Sequence, residues 1–342
     1  MPPIPACDPA ARHNTLRRLL PLLTLGVGLG GCAAAPFGRP GTFADRRGDE
    51  IVVCGQLVHT GAPVVLWFDP SGYDAYRAEC RFIAGQERPT KPVSDALLRY
   101  DTFRRNLPES LQAQIRERGW TLPELQEHVQ QFVIHYDACG SARKCFQVLH
   151  DVRGLSVHFL LDLDGTIYQT LDLKERAWHA GEANDRSVGV EIAHIGAYPD
   201  TATLNQWYRP DAHGRLLVTF PPDFGPTGIR TPHFVARPAR NELIAGEIHG
   251  RRLYQYDFTN EQYESLIRLT ATLCRVLPRI RPDCPRTPDG RVRWDVLTSE
   301  ERAQFSGVLG HCHITTSKVD PGPAFDWERV LHGARRRPRG YW

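Results

Sequence analysis

The apolar run Phe132-Val133-Ile134-His135-Tyr136 ends on a histidine, and a strand end is a rigid place to hold a metal ligand. Far downstream, Gly310-His311-Cys312-His313 opens a short segment that closes with Lys318-Val319-Asp320-Pro321-Gly322. Catalytic zinc takes three protein ligands and keeps a fourth position for water, whereas a structural site is closed by four, usually including several thiolates. His135, His311 and Asp320 fit the open kind. A second run, Ser187-Val188-Gly189-Val190-Glu191-Ile192, carries a carboxylate near the end of an apolar strand. Burying a carboxylate without a partner is costly, so a chemical role is the cheaper explanation for Glu191. Lys318 stands two residues before Asp320, which argues against an idle surface charge.

These residues need a scaffold, and the sequence supplies its signals. Thr121-Leu122-Pro123-Glu124 forms a capping box that starts a helix running into the strand at Phe132. Ser141 can cap a second helix carrying Cys145, Val148 and Leu149. Residues 157–161 and 166–170 flank Asp164-Gly165, a strong hairpin signal, with His158 inside the first strand as a core histidine. Thr259 and Gln262 begin a long helix whose apolar face is Tyr263, Leu266, Ile267, Thr270 and Leu273. A last helix is expected over residues 324–331. Near the start, Ile51-Val52-Val53 and Val64-Val65-Leu66-Trp67 read as two strands, with Thr60-Gly61-Ala62-Pro63 as the turn between them. The architecture implied is α/β, a mixed central sheet flanked by helices.

With 342 residues, 41% hydrophobic and 24% charged, the chain can bury a full core, and a net charge of +3 gives no footing for nucleic acid. Arg12, Arg17 and Arg18 precede an apolar run over residues 19–29 that is too short to span a bilayer. Leu29-Gly30-Gly31-Cys32 resembles a bacterial lipobox, so Cys32 is the expected lipidation site. Several acyl chains on one terminus would anchor the protein stably to a membrane. Ala33 takes the place of the aspartate that marks retention at the inner membrane, so the expected location is the cell envelope, as an outer-membrane lipoprotein facing the periplasm. Beyond the leader and Cys32 remain seven cysteines. The nearest pairings are Cys139 with Cys145, Cys274 with Cys284 and Cys54 with Cys80, which leaves Cys312 between two histidines.

Taken together, the motifs resemble the zinc-dependent N-acetylmuramoyl-L-alanine amidases (amidase type 2), a family similar to the peptidoglycan recognition proteins. The matching pieces are Val133-Ile134-His135-Tyr136, Ser156-Val157-His158, Asp164-Gly165-Thr166-Ile167-Tyr168-Gln169, Ala177-Trp178-His179-Ala180-Gly181, Asn184-Asp185-Arg186-Ser187, Val188-Gly189-Val190-Glu191 and the block from Gly310-His311 to Asp326-Trp327. The resemblance implies Zn2+ on His135, His311 and Asp320, with Glu191 as acid/base and Lys318 as a second catalytic group. It implies hydrolysis of the amide between N-acetylmuramic acid and L-alanine in peptidoglycan or muropeptides. The alternative it leaves is a non-catalytic peptidoglycan-binding module of the same fold.

The domain plan that follows is a lipoprotein signal peptide over residues 1–31, a tether over 32–50, an N-terminal extension over 51–120, a zinc amidase domain over 121–334 and a basic tail over 335–342. Substrate contacts are expected from Trp178 and His179, in a loop before the Glu191 strand. His313 stands where many relatives have an aspartate; in an extended segment it would share a face with His311, so it too is expected to contact substrate. An insertion over residues 197–256, rich in Pro, Gly and Arg, is expected to act as a lid or cleft wall.

Overall fold

Six strands build the central sheet of the computed structural model, which describes residues 46–86 and 103–336. Across the sheet they are β12 (Gly307–Gly310), β4 (Gln131–Tyr136), β7 (Ser187–Ile192), β5 (Phe159–Leu161), β6 (Ile167–Gln169) and β3 (Val64–Leu66). All neighbours run parallel except β5 and β6, the hairpin that turns at Asp164-Gly165. The mixed α/β sheet flanked by helices is therefore as the sequence implied. The leader over residues 1–31, Cys32, the tether up to residue 45 and the tail from residue 337 lie outside the described residues. No helix among the described residues is long and apolar enough to cross a membrane.

Alternation along the strands sorts the residues into two faces. Phe132, Ile134, Val188, Val190 and Val308 pack with Leu125, Leu266, Leu269, Leu273, Val330 and Leu331. That face is covered by α2 (Leu122–His128), α5 (Asn260–Val276) and α7 (Trp327–Arg336). Both α2 and α5 begin with the expected capping boxes. The opposite face holds Val133, His135, Gly189 and Glu191, with Leu160 packed against α3 (Ala142–Phe146). Ser141 caps α3 by accepting from the backbone N–H of Lys144. The helix then widens into a π-helical stretch, Gln147–Val152.

The N-terminal strands differ from expectation. β1 (Glu50–Val53) pairs with β2 (Gln56–His59), a strand the sequence reading missed, and not with β3. Cys54 and Gly55 both take positive φ, 49° and 74°, the backbone that a two-residue hairpin needs. Cysteine in place of Asn or Asp before that glycine hid the turn. α1 (Glu109–Arg118) completes the extension. The tether ends at Glu50, already in a strand, and Arg335 and Arg336 close α7 and so belong to the folded domain.

Residues 197–256 carry α4 (Leu204–Trp207) and two hairpins, β8 (Tyr208–Pro210) with β9 (Leu216–Val218) and β10 (Ile244–Ile248) with β11 (Arg251–Gln255). They have a small core of their own in Leu204, Trp207 and Tyr208. α6 (Ser299–Gln304) leads into β12. All seven described cysteines are free thiols, so none of the three expected pairings is formed.

Candidate functional site

Register assembles the site. In the β4–β7 pair His135 stands opposite Glu191, in the β5–β7 pair Glu191 stands opposite Leu160, and in the β12–β4 pair Gly310 stands opposite Ile134. His311 follows Gly310 directly, so one row at the C-terminal ends of parallel strands carries His311, His135 and Glu191. The Asp320 loop folds back against this row at Gly310, where a Cβ would lie 2.6 Å from Pro321 Cδ and 3.2 Å from the Asp320 carbonyl oxygen. The backbone N–H of Cys312 donates to that carbonyl at 3.0 Å.

Three potential ligand atoms converge. His135 Nδ1 lies 3.0 Å from His311 Nδ1 and 3.0 Å from Asp320 Oδ2, and His311 Nδ1 lies 3.2 Å from the same oxygen. Zinc bonds of about 2.0–2.1 Å in a tetrahedron place ligand atoms roughly 3.3 Å apart, so these three fit one ion. Electrostatics agree. Burial, then the nearby His311, lowers the His135 pKa to about 4, which keeps the imidazole neutral and able to donate a lone pair. Burial alone would raise the Asp320 carboxyl, but hydrogen bonds with His135 and His311 outweigh it and hold it well below the usual carboxylate range. Two neutral imidazoles and one carboxylate are a donor set for a divalent cation with a position left open.

The cleft in front of these atoms encloses about 370 Å3. Its lining includes Glu191, Lys318, Trp178 and His179 beside the three potential ligands. Glu191 Oε2 is enclosed and has no hydrogen-bond partner. Burial, then Asp320 and Asp137, pushes its carboxyl well above the ordinary value, against the pull of Lys318. A carboxyl in that state is suited to exchanging a proton. Lys318 is exposed at the rim, and Arg153, which the sequence reading did not single out, adds a second cation to the lining. Tyr136 was also missed, although it directly follows His135 in the same strand.

Two expectations are corrected. His313 does not reach the cleft: it is fully buried, its Nδ1 accepts from the backbone N–H of Gly310 at 2.8 Å, and its Nε2 donates to the Arg293 carbonyl at 2.7 Å. His311–His313 is a 3-10 turn, so residues two apart no longer share a face. Residues 197–256 contribute nothing to the cleft lining among the described residues. They support from behind the loop that carries Lys318, through His249 Nε2 on the Lys318 carbonyl at 3.1 Å and Arg251 on the Thr316 carbonyl at 3.3 Å. His158, by contrast, is the core histidine expected, buried and bonded to the Glu175 carbonyl and the Gly189 N–H.

Residues 125–323 match the family model described as N-acetylmuramoyl-L-alanine amidase, which is more than half of the chain. The chain belongs to the N-acetylmuramoyl-L-alanine amidase family. It is similar to the 1,6-anhydro-N-acetylmuramyl-L-alanine amidase AmpD of Haemophilus influenzae, with 24% identity over 192 residues, 56% of this chain and 64% of that protein. AmpD of Salmonella typhimurium is 25% identical over 177 residues, 51% of this chain and 54% of that one. The chain thus spans less than two thirds of the length of these relatives. Among solved structures, the complex of the N-acetylmuramyl-L-alanine amidase AmiD from E. coli with anhydro-N-acetylmuramic acid-L-Ala-D-gamma-Glu-L-Lys is 19% identical, with a TM-score of 0.34, covering 60% of this chain and 57% of that one.

Proposed function

We propose that this amidase uses zinc, held by His135, His311 and Asp320, to hydrolyse the amide between N-acetylmuramic acid and L-alanine in peptidoglycan or muropeptides. The observation that carries the reading is the convergence of those three atoms beside an enclosed, unpartnered Glu191. When bound, zinc supplies Lewis-acid polarisation of a carbonyl and makes water acidic near neutral pH. Glu191 takes the water's proton and delivers it to the leaving nitrogen, since an amine does not leave as an anion. Lys318 places positive charge beside the oxyanion, where charge fixed in advance is worth most. Trp178, stacked under the Arg176 guanidinium at 4.4 Å, offers a held aromatic face for sugar or peptide. The names of the two AmpD relatives favour anhydro-muropeptides as substrate.

Anchoring belongs to the same proposal and rests on sequence alone. A lipid on Cys32 would tether the enzyme to the envelope membrane through residues 33–45, and facing the periplasm it would meet the cell wall. Replacing Cys32 with serine should move the protein from the membrane pellet to the soluble fraction. A Cys32→Ser variant that still pellets after a salt wash contradicts the anchor.

The activity is tested by mass spectrometry of defined muropeptides and of intact sacculi after incubation with the zinc-loaded protein. Free stem peptide is the expected product. Binding without peptide release would leave the binding-module alternative standing.

A further inference from the structure

His135 turns only one ring nitrogen toward Asp320 and His311. Its other nitrogen, Nε2, lies 2.9 Å from His179 Nδ1, and His179 Nε2 lies 3.3 Å from Ser187 Oγ. The His179 ring is seated on β7 at Gly189, where any Cβ would fall 2.5 Å from ring atoms Cε1 and Nδ1. Its loop is fixed as well: Asn184 Oδ1 accepts from the backbone N–H groups of His179 at 3.1 Å and Ala180 at 2.7 Å. Ser187 is fully buried at the start of the same strand. A ring held by its backbone, its bed and both nitrogens has one orientation.

A neutral imidazole has one N–H and one lone pair, and a serine hydroxyl can donate or accept. Two proton arrangements therefore satisfy the whole row. In the first, His135 Nδ1–H donates to Asp320, His179 Nδ1–H donates to His135 Nε2, and the Ser187 hydroxyl donates to His179 Nε2. In the second, His135 Nε2–H donates to His179 Nδ1 and His179 Nε2–H donates to Ser187 Oγ, which leaves the His135 Nδ1 lone pair free for a cation. Both arrangements hold the same number of protons: in passing from the first to the second, the His135 Nδ1 proton leaves to solvent through the open cleft, each proton of the row moves one place toward His135, and Ser187 Oγ takes one proton back from solvent. Only a residue at the end of the row that both donates and accepts permits the exchange.

We propose that His179, backed by Ser187, is a positioning residue that holds His135 with its Nδ1 lone pair toward the site, and that the row reverses direction when the site fills. The inference rests on the zinc reading above and gives His179, which also lines the cleft, a task behind the ligand beside the substrate contact expected from sequence. Partners on the far nitrogen of a ligating histidine fix its tautomer, and losing one typically costs about 10- to 100-fold in metal affinity.

Nitrogen-15 NMR of the histidine-labelled protein reads the tautomers directly, before and after stoichiometric zinc. Both His135 and His179 should change from Nδ1-protonated to Nε2-protonated, with no net proton release from His179. By competition with a chelator, His179→Ala should bind zinc about 10- to 100-fold more weakly than wild type. His179→Asn, whose amide oxygen can stand near the lost Nδ1, should recover part of that loss. Circular dichroism establishes that the variants are folded; if His179→Ala is not, the asparagine variant and the NMR exchange decide. Wild type that takes up no zinc overturns the inference together with the metal reading. Wild type that binds zinc while His179 keeps its tautomer, or while both variants match its affinity, overturns the inference alone.

Discussion

His135, His311 and Asp320 were legible as a set because each owes its place to local chain geometry: a strand end, the residue after a strand, and a turn packed on a glycine. Glu191 was legible because an apolar strand has no structural use for an unpaired carboxylate. His313 was not, since sequence spacing places it beside His311 only if the segment stays extended, and it coils into a 3-10 turn. Its ring instead ties the Gly310 N–H to the Arg293 carbonyl. His313→Ala leaves both groups buried and unpaired, at ~1–3 kcal/mol each. Urea unfolding should therefore show a loss of roughly 2–6 kcal/mol while peptide release per folded molecule stays near wild type. A stable variant with much reduced turnover would instead return His313 to the chemistry.

At the scale of elements, the capped helices and the Asp164-Gly165 hairpin were readable because their signals are local. The N-terminal extension was not, because what it does is long-range. Arg104 is fully buried, and its guanidinium donates to the carbonyls of Leu173, Lys174, Asn184, Asp185 and Ser187. Those five carbonyls flank the loop that presents Trp178 and His179, so the extension clamps one wall of the cleft. Burial lowers the Arg104 pKa to about 10, which still leaves it charged at neutral pH. Arg104→Met keeps much of the volume but strands five acceptors, and should cost at least ~3 kcal/mol. Limited proteolysis should then cut within residues 173–187 at protease levels the wild type survives; unchanged cleavage there would show that the loop does not depend on the clamp.

For the whole molecule, acid response follows from how many histidines the fold buries. Burial leads the shifts that lower His128, His135, His194 and His313 to about 4, His158 to about 3, and His179 well below its usual value. Each has a folded pKa below the unfolded ~6.5, so the unfolded chain protonates first and stability is lost as pH falls through roughly 6.5 to 4. Raised carboxyls act in the opposite sense, and burial leads there too, with Asp137 and Asp162 at about 7 and Glu191 well above its usual value. Six histidines against three carboxyls set the sign. For the metal-free protein the urea midpoint should fall from pH 7 to pH 4.5, and a rising midpoint would reverse this account. The larger question at this scale is whether the molecule cuts its ligand or only holds it. Stem-peptide release and bound zinc, measured side by side for wild type, Glu191→Ala and His135→Ala, answer it most directly. Glu191→Ala should keep its zinc and lose on the order of 10²- to 10⁴-fold in rate, and His135→Ala should lose both. Full activity in Glu191→Ala, or peptide release from His135→Ala without metal, would contradict the mechanism proposed.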